Sequence, residues 1–170
     1  MGETVWYRIV GRKRIARADV LPARSGRFHE DPVGEPTSYL GDCLLTVWRE
    51  AQSARAGAAG LNPDAFAGWK VTIRDARLVD LREAKERKKW GVSEGDLAGD
   101  PAPPKCRELG RSLRRSKEKI HGMLYCSVRH PPDGLCLALF LETHDVIVRF
   151  ERVSEKEWKD FIESLGKPKE

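Results

Sequence analysis

Three strand-like runs follow one another late in the chain: "GMLYCSVR" (122–129), "LCLALFL" (135–141) and "VIVRFERV" (146–153). Only "HPPDG" and "ETHD" separate them, and both are rich in turn-forming residues. Strands precede and follow the helices without a regular βαβ alternation, which points to an α+β fold rather than a doubly wound one.

The remaining elements fit around that sheet. "VWYRIV" (Val5 to Val10), aromatic and β-branched, reads as an opening strand. Gly11 to Ser38 carries Pro and Gly without periodicity and reads as a long loop, a kind of segment that often carries function. Asp42 is placed to cap a helix over Cys43 to Ala59, where Leu44, Leu45, Val47, Trp48 and Ala51 recur at helical spacing. Two strands are expected at Trp69–Arg74 and Arg77–Leu81, or one strand running through a bulge. A short helix and an exposed connection follow. Lys105–Lys119 has Cys106, Leu109 and Leu113 on one side, the pattern of an amphipathic helix. "SEKE" (Ser154 to Glu157) is a capping box opening a last helix, 154–165, before a tail at 167–170. The 170 residues read as one domain with its core at about 5–151.

A hydrophobic fraction of 40% and a charged fraction of 34% suit a folded, water-facing chain. No apolar run approaches the roughly 20 residues that span a bilayer. "MGETVWYRIV" has neither a basic nor a long apolar leader segment, so the cytoplasm is the expected location. Cys43, Cys106, Cys126 and Cys136 form no CxxC pair and are expected as free, largely buried thiols. The four histidines, His29, His121, His130 and His144, do not cluster with them, so no metal is expected. Much of the net charge of +5 lies in Arg12–Arg17 and Lys105–Lys119. These stretches are either solvated faces or a surface for an anionic ligand or acidic partner.

Neither GxxxxGK[ST] nor a GxGxxG after a strand is present, and no GxSxG surrounds Ser127. A nucleotide bound here would have to be gripped by arginines and an unusual loop. "SGRFH" (Ser25 to His29) is such a place: an arginine beside an aromatic ring inside the irregular segment.

"WYRIV", "GRFH", "SYLGDCLLTVWRE" and "GMLYCSVR…GLCLALF" follow in one order over about Val5 to Glu151. In this the chain resembles the RES-domain family, named for an arginine, a glutamate and a serine. The resemblance implies an ADP-ribosyltransferase-like fold, mainly antiparallel sheets flanked by helices. It also implies an NAD+-degrading bacterial toxin of a toxin–antitoxin system, with an Xre-like antitoxin protein as partner. Carried over residue by residue, Arg8 matches the family's first arginine and Arg27 the arginine of its Gly-Arg-Trp-Asn block. Tyr39 matches its tyrosine, Glu50 its glutamate and Ser127 its serine.

These residue types suit cleavage of a nicotinamide–ribosyl bond. Arg8 and Arg27 can grip pyrophosphate oxygens through paired, charge-assisted bonds. Tyr39 can stack on nicotinamide, and Glu50 can stabilise an oxocarbenium-like cation. Ser127 can orient the ribose, the amide or Glu50 itself. NAD+ is then a substrate, with water or phosphate as acceptor; transfer of ADP-ribose to a protein or nucleic acid is the alternative. Phe28 and His29 depart from the family's Trp and Asn. His29 is either a partly exposed loop histidine or a group that binds phosphate or moves protons. A basic domain that binds nucleic acid without catalysis is the remaining alternative, with direct contact to nucleic acid otherwise not expected.

Overall fold

A computed structural model describes residues 2–12, 26–30, 34–53, 61–99, 103–142 and 144–166. Seven strands form a sheet in the order β4-β5-β6-β2-β1-β3-β7: β1 (Thr4–Gly11), β2 (Thr37–Gly41), β3 (Phe66–Ile73), β4 (Leu78–Asp80), β5 (Gly122–Cys126), β6 (Leu135–Phe140) and β7 (Ile147–Arg152). Every pairing is antiparallel except β4 with β5. The expected mixed fold with a mainly antiparallel sheet is therefore what forms. Among the described residues five helices flank it: α1 (Leu44–Ser53), α2 (Ala84–Lys89), α3 (Glu94–Ala98), α4 (Pro104–Arg114) and α5 (Glu155–Leu165). Among the described residues no helix is long and apolar enough to cross a membrane.

The sheet has a weak seam. β1 matches β3 through eight residue pairs but meets β2 only at Tyr7↔Gly41. On either side of this seam the sheet behaves as two halves, β4-β5-β6-β2 and β1-β3-β7. One core joins Trp6, Val71 and Ile73 of one half to Leu40, Leu137 and Leu139 of the other. A second lies between β5, β6 and α4, with Phe28, Leu109, Leu113, Met123 and Phe140. The third packs Trp48 of α1 edge-on to Phe66, Trp158 and Phe161, at ring distances of 6.1, 6.3 and 6.1 Å. Each such side chain contributes about 1.5–3 kcal/mol on burial, so α1 and α5 are held mainly by this aromatic cluster.

Several expected boundaries move. β2 lies partly inside the segment expected as loop up to Ser38, because five residues bordered by Pro36 and Gly41 show no alternation to read. Its Thr37–Gly41 pairing with β6, 95 or more residues later, creates the strand. Helix α4 ends at Arg114 rather than Lys119, which has a positive φ of 49°. The expected strand through Ser127 stops at Cys126, leaving Ser127 at the start of a turn. The expected capping box of α5 is half made: Ser154 Oγ accepts from the Glu157 amide, while the Glu157 carboxylate pairs with Lys70 Nζ at 2.8 Å. A full capping box stands instead at Ser93 and Asp96. The end of the predicted first helix (54–59), residues 13–17 of the first basic stretch and the tail at 167–170 lie outside the described residues. The four cysteines are free thiols, with Cys126 exposed rather than buried.

Candidate active site

α1 leaves the seam between the half-sheets and carries Glu50 on its second turn. Its apolar stripe, Leu44 and Trp48, faces the aromatic cluster. Glu50 therefore emerges on the opposite side, towards the end of β5. There Ser127 Oγ donates to Glu50 Oε1 at 2.5 Å, across 77 residues of sequence. The same oxygen of Ser127 accepts two backbone N–H groups, from Arg129 at 3.2 Å and His130 at 3.1 Å. A hydroxyl has one proton and two lone pairs, so every bonding position of Ser127 is taken. That arrangement aims a donor at a carboxylate and leaves no lone pair for nucleophilic attack. The buried Cys136 thiol lies 3.9 Å from the same carboxylate oxygen, and burial raises its pKa so that it stays protonated.

On the other side of β6, the segment after the opening strand folds into a tight turn closed by Gly26 N–H to His29 carbonyl at 3.2 Å. Tyr39, half-buried on β2, fixes it. The Phe28 N–H donates to Tyr39 Oη at 3.0 Å, and His29 Nδ1 engages the same oxygen at 3.0 Å. The two rings stack with centroids 5.6 Å apart. Phe28 is fully buried, edge-on to Tyr125 at 5.1 Å. Burial pushes the Tyr39 phenol well above its ordinary value, so it is neutral. Two glycines allow this approach: a Cβ on Gly26 would meet Tyr39 Oη at 2.4 Å, and one on Gly110 of α4 would meet the Phe28 carbonyl oxygen at 2.0 Å.

His29 is the clearest departure from the sequence expectation. It is 0% exposed, so it is neither a partly exposed loop histidine nor a group that meets a phosphate directly from solvent. The stretch is too irregular for periodicity to report burial; tertiary packing decides it.

The arginines are anchored differently from each other. Arg8 Nη1 donates to Ser38 Oγ at 2.7 Å, bridging the half-sheets just past their single pair. Side chains alternate along a strand, so Ser38 leaves β2 on the face opposite Tyr39. Burial pulls the Arg8 guanidinium down to about 10, which leaves it charged at neutral pH. Arg27 Nη1 donates to the Gly99 carbonyl at 2.8 Å. The buried Tyr125 phenol is raised by burial, with Cys136, Tyr39 and Glu50 adding to the effect and Arg27 opposing it. Tyr125 is thus the shared neighbour of the Glu50 and Tyr39 sides.

Sequence patterns did not reveal Tyr125, Thr46, His130 or Arg114 as parts of this site. Arg114 holds the turn from α4: it donates to the Phe28 carbonyl at 3.5 Å, the Glu35 carbonyl at 3.2 Å and Thr37 Oγ at 2.5 Å. It also pairs with Glu142 at 2.7 Å and lies 4.0 Å over the Phe140 ring. Arg107 reaches Glu30 at 3.2 Å, Arg111 reaches Glu35 at 2.8 Å, and Lys105 reaches Asp96 at 3.3 Å. The basic helix expected as a solvated or anion-binding face therefore directs much of its charge to internal carboxylates. Among the described residues no three His, Cys, Asp or Glu side chains group to hold a metal ion.

A RES domain family model matches residues 5–161. A chain of the crystal structure of the Mycobacterium tuberculosis MbcT–MbcA toxin–antitoxin complex has a similar fold. It superposes with a TM-score of 0.68 at 17% identity, covering 93% of this chain and 88% of that one. No curated protein sequence matches significantly. The protein belongs to the RES-domain family, as the order of its sequence blocks implied.

Proposed function

We propose that this protein consumes NAD+ by breaking the nicotinamide–ribosyl bond, and acts as the toxin of a toxin–antitoxin pair. The observation that carries this reading is the Glu50 carboxylate, aimed by a Ser127 hydroxyl that two backbone amides hold in place. As the C–N bond breaks, its electron pair leaves on the nicotinamide nitrogen and positive charge develops on the ribose. A fixed carboxylate stabilises that cation more than the neutral-ribose ground state. Water or phosphate then forms the new C–O bond; with water, the proton goes to solvent. Arg27 supplies a cation for the pyrophosphate and Tyr39 a neutral ring for nicotinamide, while Arg8, bonded to Ser38 on the face opposite Tyr39, supplies its charge at the seam between the half-sheets. His29 positions Tyr39. Family membership supports an Xre-like antitoxin as partner, and a solved neighbour is itself part of a toxin–antitoxin complex.

Nicotinamide release from NAD+, followed with and without inorganic phosphate, tests the reading. Wild-type protein should release it, and Glu50→Gln should slow release by on the order of 100-fold or more. No release by the wild type in either condition overturns the proposal. Label from NAD+ found on a protein or nucleic acid, rather than on a small product, would assign a macromolecular acceptor. A nucleic-acid-binding role is poorly supported, since Lys105, Arg107, Arg111 and Arg114 all have carboxylate partners within the chain.

A further inference from the structure

Asp42, Thr46 and Glu50 recur every four residues, so they line one face of α1 and its leading residue. The turn 127–134 lies along that stripe. It meets Glu50 through Ser127 and Thr46 through His130, whose Nδ1 is 2.8 Å from Thr46 Oγ. Thr46 is fully buried. Its hydroxyl proton goes to Asp42 Oδ1 at 2.6 Å, because an ionised carboxylate only accepts. The His130 contact must then be Nδ1–H donating to Thr46, and the Cys43 thiol at 3.3 Å can fill the remaining lone pair.

We propose that His130, held by Thr46 and Asp42, is a positioning residue for Glu50. Its ring is clamped to the first turn of α1, and its backbone N–H is one of the two that fix Ser127 Oγ, whose proton aims Glu50 one turn along. The turn is closed on itself by Ser127 N–H to Gly134 carbonyl and Gly134 N–H to His130 carbonyl, both 2.7 Å. A bond from Asp42 N–H to the Leu135 carbonyl, 3.0 Å, ties its far end to the start of α1. Moving the His130 ring therefore moves the amide that holds Ser127. The packing of α1 needs none of these polar groups, since Leu44 and Trp48 secure its other face. A buried polar network is costly unless complete, and here it runs from Asp42 and Thr46 through the turn 127–134 to Glu50. The proposal rests on Glu50 being the group that stabilises the ribosyl cation.

The test uses Thr46→Val, which keeps shape and deletes the hydroxyl, His130→Ala, and His130→Asn, whose side-chain amide can donate where Nδ1–H does. Thr46→Val and His130→Ala should lower kcat for nicotinamide release about 10- to 100-fold, the cost of misplacing a reacting group by about 1 Å. KM should stay within about twofold, and His130→Asn should recover most of the loss. A purely structural role would move the melting temperature without that split or that rescue. A kcat within about twofold of wild type for His130→Ala, whose ring is only half-buried, overturns the proposal even if Thr46→Val fails to fold. Nitrogen NMR of the imidazole provides a readout without activity. Wild type should show the Nδ1–H form, and an Nε2–H neutral tautomer there overturns the clamp. A wild type that releases no nicotinamide while showing the Nδ1–H form sinks the reaction and leaves the clamp standing.

Discussion

The turn carrying Arg27, Phe28 and His29 is pressed against Tyr39 by α4, whose Arg107, Arg111 and Arg114 reach Glu30, Glu35 and Glu142. Glu50, across Tyr125, is held by the Ser127 hydroxyl, which two backbone amides of the turn 127–134 fix in turn. The first region depends on close packing and on long charged side chains. Its outer ion pairs are exposed enough to contribute only about 0–1 kcal/mol each, so Phe28, Gly110 and Arg114 carry most of its stability. The second depends on where single protons sit. Loss of volume or charge should therefore loosen the Tyr39 side, while loss of one donor should misdirect Glu50 without unfolding anything.

The harshest way to break the Tyr39 side is Gly110→Ala. A Cβ 2.0 Å from a backbone oxygen forces the turn off α4. Overpacking of this kind costs on the order of 3 kcal/mol, or a fall of about 6–12 °C in melting temperature for a chain of this size. An unchanged melting temperature would mean that the turn docks differently.

Next in size is Arg114→Ala, which leaves the Thr37 hydroxyl and the Phe28 and Glu35 carbonyls without this donor. It should cost about 2 kcal/mol in denaturant unfolding. Arg114→Lys should recover less than half, because an ammonium cannot reproduce a planar fork lying over Phe140. Full recovery by Lys would show that charge alone, not the fork, holds the turn.

The smallest effect is on acid stability. Burial raises the Glu35 pKa, but hydrogen bonds from Arg111 and the Glu30 amide, with the charges of Arg111 and Arg114, outweigh it and leave the pKa below 4.5. A carboxylate depressed in the folded state stabilises above its unfolded pKa, and that contribution fades as pH falls through the folded value. Melting temperature measured from pH 6 downward should thus drop more steeply below about 4.5 in wild type than in Glu35→Gln. Parallel curves for the two would remove Glu35 from the account.

How much of this was legible varies by residue. The strands at 122–126 and 135–140 announce themselves through apolar runs and the turn between them. Trp48 and Leu44 show the buried face of α1 at helical spacing. Glu50 and Ser127 were found through the order of blocks shared with a family, but their contact was not, since 77 residues lie between them. His130 sits in "HPPDG", which reads only as a turn, and nothing local marks its bond to Thr46, 84 residues earlier. Arg114 looked like one more charge on a basic helix until its partners at 28, 35 and 37 came into view.

By itself the sequence determined the elements whose cause is local: strands by apolar runs, helices by apolar spacing, turns by Pro, Gly and Asp. Through its order of motifs it also determined the family. Only the tertiary structure decided that five residues after Pro36 become a strand, that His29 is fully buried, and that Arg114 of α4 reaches back to the turn at 26–29. The physical reason is range. Backbone propensity and hydrophobic period act over a few residues, whereas burial, hydrogen-bond satisfaction and ion pairing depend on which distant segment arrives as the neighbour.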